Sequence, residues 1–121
     1  DMAVKYARER VQFGQPIGHF QVNAFKLADM ALEIECARLL LYKACWLRDN
    51  EKPFTKEAAM AKLYCSEVMY RCANHAVQLH GGYGYMNEYA VGRAFADARV
   101  TSIYGGTTAI MKEIIGRGMG V

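Results

Sequence analysis

Residues 55–82 read TKEAAMAKLYCSEVMYRCANHAVQLHGG, and the apolar positions Ala58, Ala61, Cys65, Val68, Cys72, Ala76 and Leu79 within them fall three or four residues apart. That spacing places them on one face of an α-helix, because 3.6 residues complete a turn. Thr55 is the expected N-terminal cap, Glu57 brings an acid to the first turn, where the helix dipole favours it, and Gly81-Gly82 ends the segment. A helix with one apolar stripe needs a facing stripe to leave water. Residues 20–45 offer one, since Phe20, Ala24, Leu27, Ala31, Ile34, Arg38, Leu41 and Cys45 alternate by four and three. Only Arg38 interrupts that run, and it is expected to form a buried or half-buried ion pair with a carboxylate of a neighbouring helix. The polar run Asp49-Asn50-Glu51-Lys52-Pro53 turns the chain between the two helices.

Outward from this pair the pattern continues in both directions. A first helix runs through Ala3, Val4, Ala7 and Val11, and Phe13-Gly14-Gln15-Pro16-Ile17-Gly18 stops it with two glycines and a proline. Beyond Gly82, Asn87 is the expected cap of a fourth helix whose Val91, Ala94, Phe95 and Ala98 share a face, and a last helix begins near Thr107. No strand pattern, internal repeat or low-complexity tract competes. The expectation is an all-α, up-and-down four-helix bundle with an extra C-terminal helix.

Composition narrows what such a bundle could do. At 121 residues and 53% hydrophobic content the chain can build one core, not two. Its 15 Lys and Arg are scattered among 12 acids for a net charge of +3, without the basic stripe that would neutralise several phosphates, so no nucleic acid is expected as a partner. No apolar run approaches the roughly 20 residues that span a bilayer, so no membrane span is expected. Cys36, Cys45, Cys65 and Cys72 lack Cys-x-x-Cys spacing and read as small core residues of a reducing compartment, a bacterial cytoplasm or a mitochondrial matrix. Asp1 opens without an initiator Met in what already reads as helix, and the chain is expected to be a piece of something longer.

Bundles often hold metals through Glu-x-x-His pairs, but the residues three before His19, His75 and His80 are Pro16, Cys72 and Val77, so no metal is expected. Gly82-Tyr83-Gly84 lacks the third glycine and the strand of a dinucleotide fingerprint, and no P-loop is present. Tyr104-Gly105-Gly106-Thr107-Thr108 has the character of a ligand seat. Glycines let a bound group approach the backbone, and a threonine caps the helix that follows.

Three segments then stand together: Glu9-Arg10-Val11-Gln12-Phe13-Gly14, the run Gln78-x-x-Gly81-Gly82-x-Gly84-Tyr85-x-x-Glu88 with Arg93 and Asp97 following, and Ile103-Tyr104-Gly105-Gly106-Thr107. In kind and order they resemble the C-terminal helical domain of the acyl-CoA dehydrogenases, over nearly the whole chain. The resemblance implies an N-terminal helical domain and a middle β domain ahead of residues 1–121. It also implies FAD as cofactor, acyl-CoA as substrate, an electron-transfer flavoprotein as partner, and a homodimer or homotetramer.

By the same resemblance Arg10, Gln12, Phe13 and Gln21 reach the FAD of a neighbouring subunit. Gln78, Gly81, Gly82 and Thr107 are further cofactor contacts, while Tyr104 and Gly105 border the substrate. The residue types suit these roles, since Arg10 offers a fork of donors to a pyrophosphate, Phe13 can lie against a flat ring, and the glycines admit the cofactor to the main chain. His80 is expected to pack or bond locally. Short- and medium-chain members carry their catalytic glutamate directly after the motif tyrosine, where this chain has Gly105. Long-chain and isovaleryl-type members resemble it in having glycine there and the glutamate on an earlier helix, which implies no catalytic residue in this chain and a base upstream of Asp1. Ala109 departs from the Gln or Glu usual in the family. Two other readings remain: an acyl-CoA oxidase-like relative, and a non-catalytic helical association module.

Overall fold

A computed structural model describes all 121 residues, 76% of them helical. Helix α1 spans Met2–Glu9, α2 Gln21–Asp49, α3 Thr55–His80, α4 Ala90–Val100 and α5 Thr108–Arg117. Short 3₁₀ turns occupy Ile17–His19 and Gly81–Tyr85. The all-α bundle expected from the sequence is the fold observed. Between α1 and α2 lies the one exception, a hairpin of strands β1 (Val11–Gln12) and β2 (Gln15–Pro16). Val11 therefore leaves the first helix and enters a strand.

Helix α3 is the hub on which α1, α2, α4 and α5 all pack. Its expected stripe holds: Ala61, Val68, Cys72, Ala76 and Leu79 are buried, with Ala58 and Cys65 half-buried. Antiparallel packing of α2 on α3 follows from the contacts, since Cys65 Sγ lies 3.6 Å from the Ala37 carbonyl and Cys72 Sγ 4.0 Å from that of Met30. On α2 the buried line runs through Ala37 and Ala44, with Leu27, Met30, Glu33, Leu40 and Leu47 half-buried along it. The expected stripe lies one residue, about 100°, to one side of it. Arg38 is consequently exposed and pairs at 2.6 Å with Glu35 of its own helix. The ion pair between α2 and α3 is instead Arg71 with Glu33, where Arg71 Nε donates to both carboxylate oxygens at 3.1 Å.

Two expected caps also move. Phe54 rather than Thr55 holds the N-cap position of α3, and Tyr89 rather than Asn87 that of α4, neither with a side-chain cap bond. The Asn87 carbonyl accepts from Arg93 instead. Glycine makes the junction of α3 and α4 possible: a Cβ on Gly84 would stand 2.5 Å from the Val77 carbonyl oxygen, and one on Gly92 2.9 Å from that of Gly84.

The core is built of small residues. Sixteen of 121 residues are buried, eight of them alanines, and no large side chain is fully enclosed. Many large apolar side chains lie on the surface instead, more than a monomeric domain of this size usually leaves to water. No helix is long and apolar enough to cross a membrane.

Candidate functional site

Arg10 closes α1. Its backbone N–H donates to the Tyr6 carbonyl and its own carbonyl accepts from Ile17 N–H, both at 2.8 Å, so the loop between α1 and α2 folds back on this residue. The guanidinium stands 5.7 Å from the centre of the Tyr83 ring, a cation–π distance, and pairs with no carboxylate. The first and second sequence motifs thus meet in space. Tyr6 and His80 fix this junction: their rings stack at 4.1 Å, and the buried His80 Nδ1 lies 2.7 Å from the Ala76 carbonyl. His80 does pack and bond locally. Tyr83 and Tyr89 stack beside it at 5.4 Å.

From this junction the hairpin projects. Phe13 and Gly14 form its two-residue turn with φ of +52° and +77°, the pair of positive angles that a tight hairpin turn requires. Phe13 accepts a left-handed backbone that L-residues disfavour, and its ring is 94% exposed, touching only the edge of Phe20 at 6.2 Å. Gln12 on β1 and Gln21 at the start of α2 are exposed on the same loop. At the end of α3, Gln78 is exposed, and Gly81 takes φ +60° with ψ −138°, conditions that suit glycine far better than any other residue. That ψ lies outside the left-handed helical region in which a glycine commonly ends a helix. A Cβ on Gly81 or Gly82 would meet nothing within 4 Å, so the main chain there is open to a ligand.

The third motif lies elsewhere. Thr107 caps α5, its Oγ1 accepting from Ile110 N–H at 3.3 Å, as the sequence indicates. Gly105 and Gly106 take φ of +64° and +105°. The Met111 methyl fills the space a Cβ on Gly106 would need, whereas beside Gly105 nothing lies within 4 Å. Tyr104 points to solvent. The half-buried Lys62 ammonium of α3 ties this turn down, donating to the Thr101 carbonyl at 2.9 Å and to the Gly106 carbonyl. Lys62 and Gln78 are 16 positions apart on one straight element, roughly 24 Å at 1.5 Å per residue. The structure therefore gathers Arg10, Gln12, Phe13, Gln21, Gln78, Gly81 and Gly82 at one end of α3. Tyr104, Gly105 and Thr107 sit toward the other end, and they do not share a wall with the first group.

All ten positions are exposed. None lines the groove of about 380 Å³ between α1, α2, α3 and α4, whose wall of Met30, Ile34, Val68, Met69 and Ala94 is apolar apart from Asp1 at its edge. Sequence reasoning missed Tyr6, Tyr83 and Lys62, since no motif spacing marks a stacking or a backbone-tethering residue. Cys72 is buried and Cys65 half-buried, while Cys36 and Cys45 are exposed, so only two of the four cysteines serve the core. Burial pushes the thiols of Cys65 and Cys72 up, against a backbone hydrogen bond at Cys65. At Cys72 the Glu33 carboxylate adds to the rise and Arg71 opposes it.

The domain thus presents cationic, amide and glycine surfaces at two separated edges, both open to solvent. Residues 1–120 match the family model described as the acyl-CoA dehydrogenase, C-terminal domain, and the chain belongs to that family. Over 117 residues it is 54% identical to the probable acyl-CoA dehydrogenase YngJ of Bacillus subtilis, covering 97% of this chain and 31% of that protein. It is also 52% identical over 115 residues to the caffeyl-CoA reductase-Etf complex subunit CarC of Acetobacterium woodii, covering 95% and 30%. The butyryl-CoA dehydrogenase structure from Megasphaera elsdenii superposes with a TM-score of 0.97 at 47% identity, over 99% of this chain and 31% of that one. The chain spans just under a third of the length of the relatives it matches.

Proposed function

We propose that this chain serves a FAD-dependent acyl-CoA dehydrogenase, oxidising an acyl-CoA to the trans-2-enoyl-CoA, and that it contributes cofactor contacts, a subunit interface and part of the acyl pocket. One observation carries the reading: Arg10, held against Tyr83, joins the hairpin motif to the Gly81-Gly82 edge and keeps an unpaired guanidinium facing outward. The donors present suit the cofactor. Arg10, Gln12 and Gln78 can bond phosphate or adenine acceptors, and the bare backbone at Gly81 and Gly82 admits the ligand closely. When bound, the flavin supplies the hydride acceptor.

The separation of the two edges supports a division of labour. The Arg10 edge reaches the FAD of a neighbouring subunit, and Thr107, whose hydroxyl proton remains free while its oxygen accepts from Ile110, bonds near the flavin of its own subunit. Tyr104 borders the acyl chain. Gly105 leaves its place without a side chain, so the α-proton is removed by a glutamate on an earlier helix, as in the long-chain and isovaleryl-type members. Electrons then leave to an electron-transfer flavoprotein, a partner in keeping with the Etf complex named for the Acetobacterium relative.

The test is the full-length protein. It should purify yellow, bleach anaerobically with an acyl-CoA, and lose most of its flavin on Arg10→Ala. A colourless protein would leave the association module as the better reading, rapid recolouring by oxygen with peroxide release would favour the oxidase, and an Arg10→Ala variant of full flavin content would refute the assigned contact.

A further inference from the structure

Lys62 stands on the third turn of α3, half-buried, and its ammonium pairs with no carboxylate. Its partners are the carbonyls of Thr101, at 2.9 Å, and of Gly106. The charge thus sits where α4 ends, the pole of a helix that favours a cation, and it grips both ends of the segment that leads to Thr107. These contacts fix more than the path of the chain. The Gly106 carbonyl and the Thr107 N–H belong to one trans peptide plane, on which they point in opposite directions. Turning that carbonyl toward α3 turns the Thr107 N–H away from it. From Gly105 to Ala109 no N–H has an acceptor within the chain, and the first that does is Ile110, bonded to Thr107 Oγ1. Two consecutive glycines at positive φ make this turn conformationally free, and only the Met111 methyl abuts Gly106.

We propose that Lys62 is a positioning residue for the dehydrogenation: through its grip on the Gly106 carbonyl it sets the Gly106–Thr107 peptide, and with it the placement of Tyr104, Gly105 and Thr107 in the reacting complex. The inference rests on the assignment of those three residues to the acyl chain and the flavin. A lysine suits the task, because its point charge carries three donors on a flexible stem and reaches two carbonyls that face it from different parts of the chain. A neutral, apolar side chain at this place would leave both carbonyls without their donor and the peptide free to rotate. Reaction geometry is sensitive to such a support, since a displacement of about 1 Å can lower a rate on the order of a hundredfold.

A tether that served stability alone would act differently. Its loss would lower the denaturation midpoint and the flavin content with it, but each flavin still bound would react at the ordinary rate.

The test is anaerobic bleaching of the full-length protein by a saturated acyl-CoA, with rates expressed per flavin bound. In Lys62→Met the maximal rate should fall roughly tenfold to a hundredfold. The acyl-CoA concentration at half that rate should change far less, as expected when an interaction of the transition state is lost rather than one of binding. Lys62→Arg keeps the charge and the donors and should recover most of the loss. Val68→Ala removes buried volume from the α2–α3 core without touching the turn, so it should lower the denaturation midpoint while its flavin bleaches at the wild-type rate. A Lys62→Met flavin that bleaches as fast as the wild type would overturn the proposal, and so would a Val68→Ala flavin slowed to the same degree as that of Lys62→Met. In either case the wild type still bleaches and the dehydrogenase reading stands. A yellow wild type that no acyl-CoA bleaches would refute that reading and this inference with it.

Discussion

Gly84 and Gly105 occupy motif positions for different physical reasons, and the same substitution separates them. At Gly84 an added methyl would collide with the Val77 carbonyl and the Cβ of His80, so the α3–α4 junction must open. Gly84→Ala is expected to cost about 1–3 kcal/mol, the usual range for overpacking, read as a lowered denaturation midpoint. At Gly105 the space is empty and only the left-handed backbone, φ +64°, resists a side chain. Gly105→Ala should therefore cost roughly 1 kcal/mol and leave the fold intact. Sequence alone flagged both glycines, because Gly-x-Gly and Gly-Gly-Thr runs are visible in one dimension. It could not tell a crowded glycine from an open one, since the crowding at Gly84 comes from α3 one turn away.

Among the elements, α3 was legible and α2 was not, and the contrast has a cause. On α3 the three-four stripe coincides with the buried line from Ala61 to Leu79, although Ala59, Ser66 and His80 are buried outside it. On α2 apolar residues surround the helix, with Phe25, Leu32, Leu39 and Trp46 opposite the buried line, and Ile34 and Leu41 at its border. Period then fixes the helix but leaves its rotation open, which is why Arg38 was expected inside and the structure places Arg71 at the helix–helix ion pair. The third-motif turn depends on another feature no spacing reveals, the tether from Lys62 to the carbonyls of Thr101 and Gly106. Lys62→Met removes both bonds and should cost about 2 kcal/mol, within the range for hydrogen bonds to a charged donor. Amide exchange at residues 104–107 should rise in this variant and remain unchanged at the Arg10 edge, which is the readout a general loss of stability would not give.

At the scale of the molecule, the domain combines a small-residue core with a surface rich in apolar side chains. Its stability has an alkaline limit. Cys65 and Cys72 hold their protons more tightly when folded than the ordinary thiol value of 9.0 allows in the unfolded chain. Their contribution is thus complete below about pH 9 and shrinks as pH rises above it, because the unfolded chain then ionises while the folded chain does not. Urea midpoints should fall between pH 8 and pH 10, and fall less in Cys72→Ala, whereas an equal loss in both would remove this cause.

The separation of roughly 24 Å along α3 also sets the central claim, that each flavin is completed by the Arg10 edge of one subunit and the Thr107 turn of another. Co-assembly of full-length Arg10→Ala and Thr107→Ala subunits tests it most directly, with each variant alone as reference. In a mixed pair one site keeps both intact edges and the other loses both, so flavin content should recover in up to half of the sites while either homogeneous variant stays depleted. If mixed assemblies bind no more flavin than the two variants separately, both edges serve a single subunit's cofactor and the shared site is contradicted.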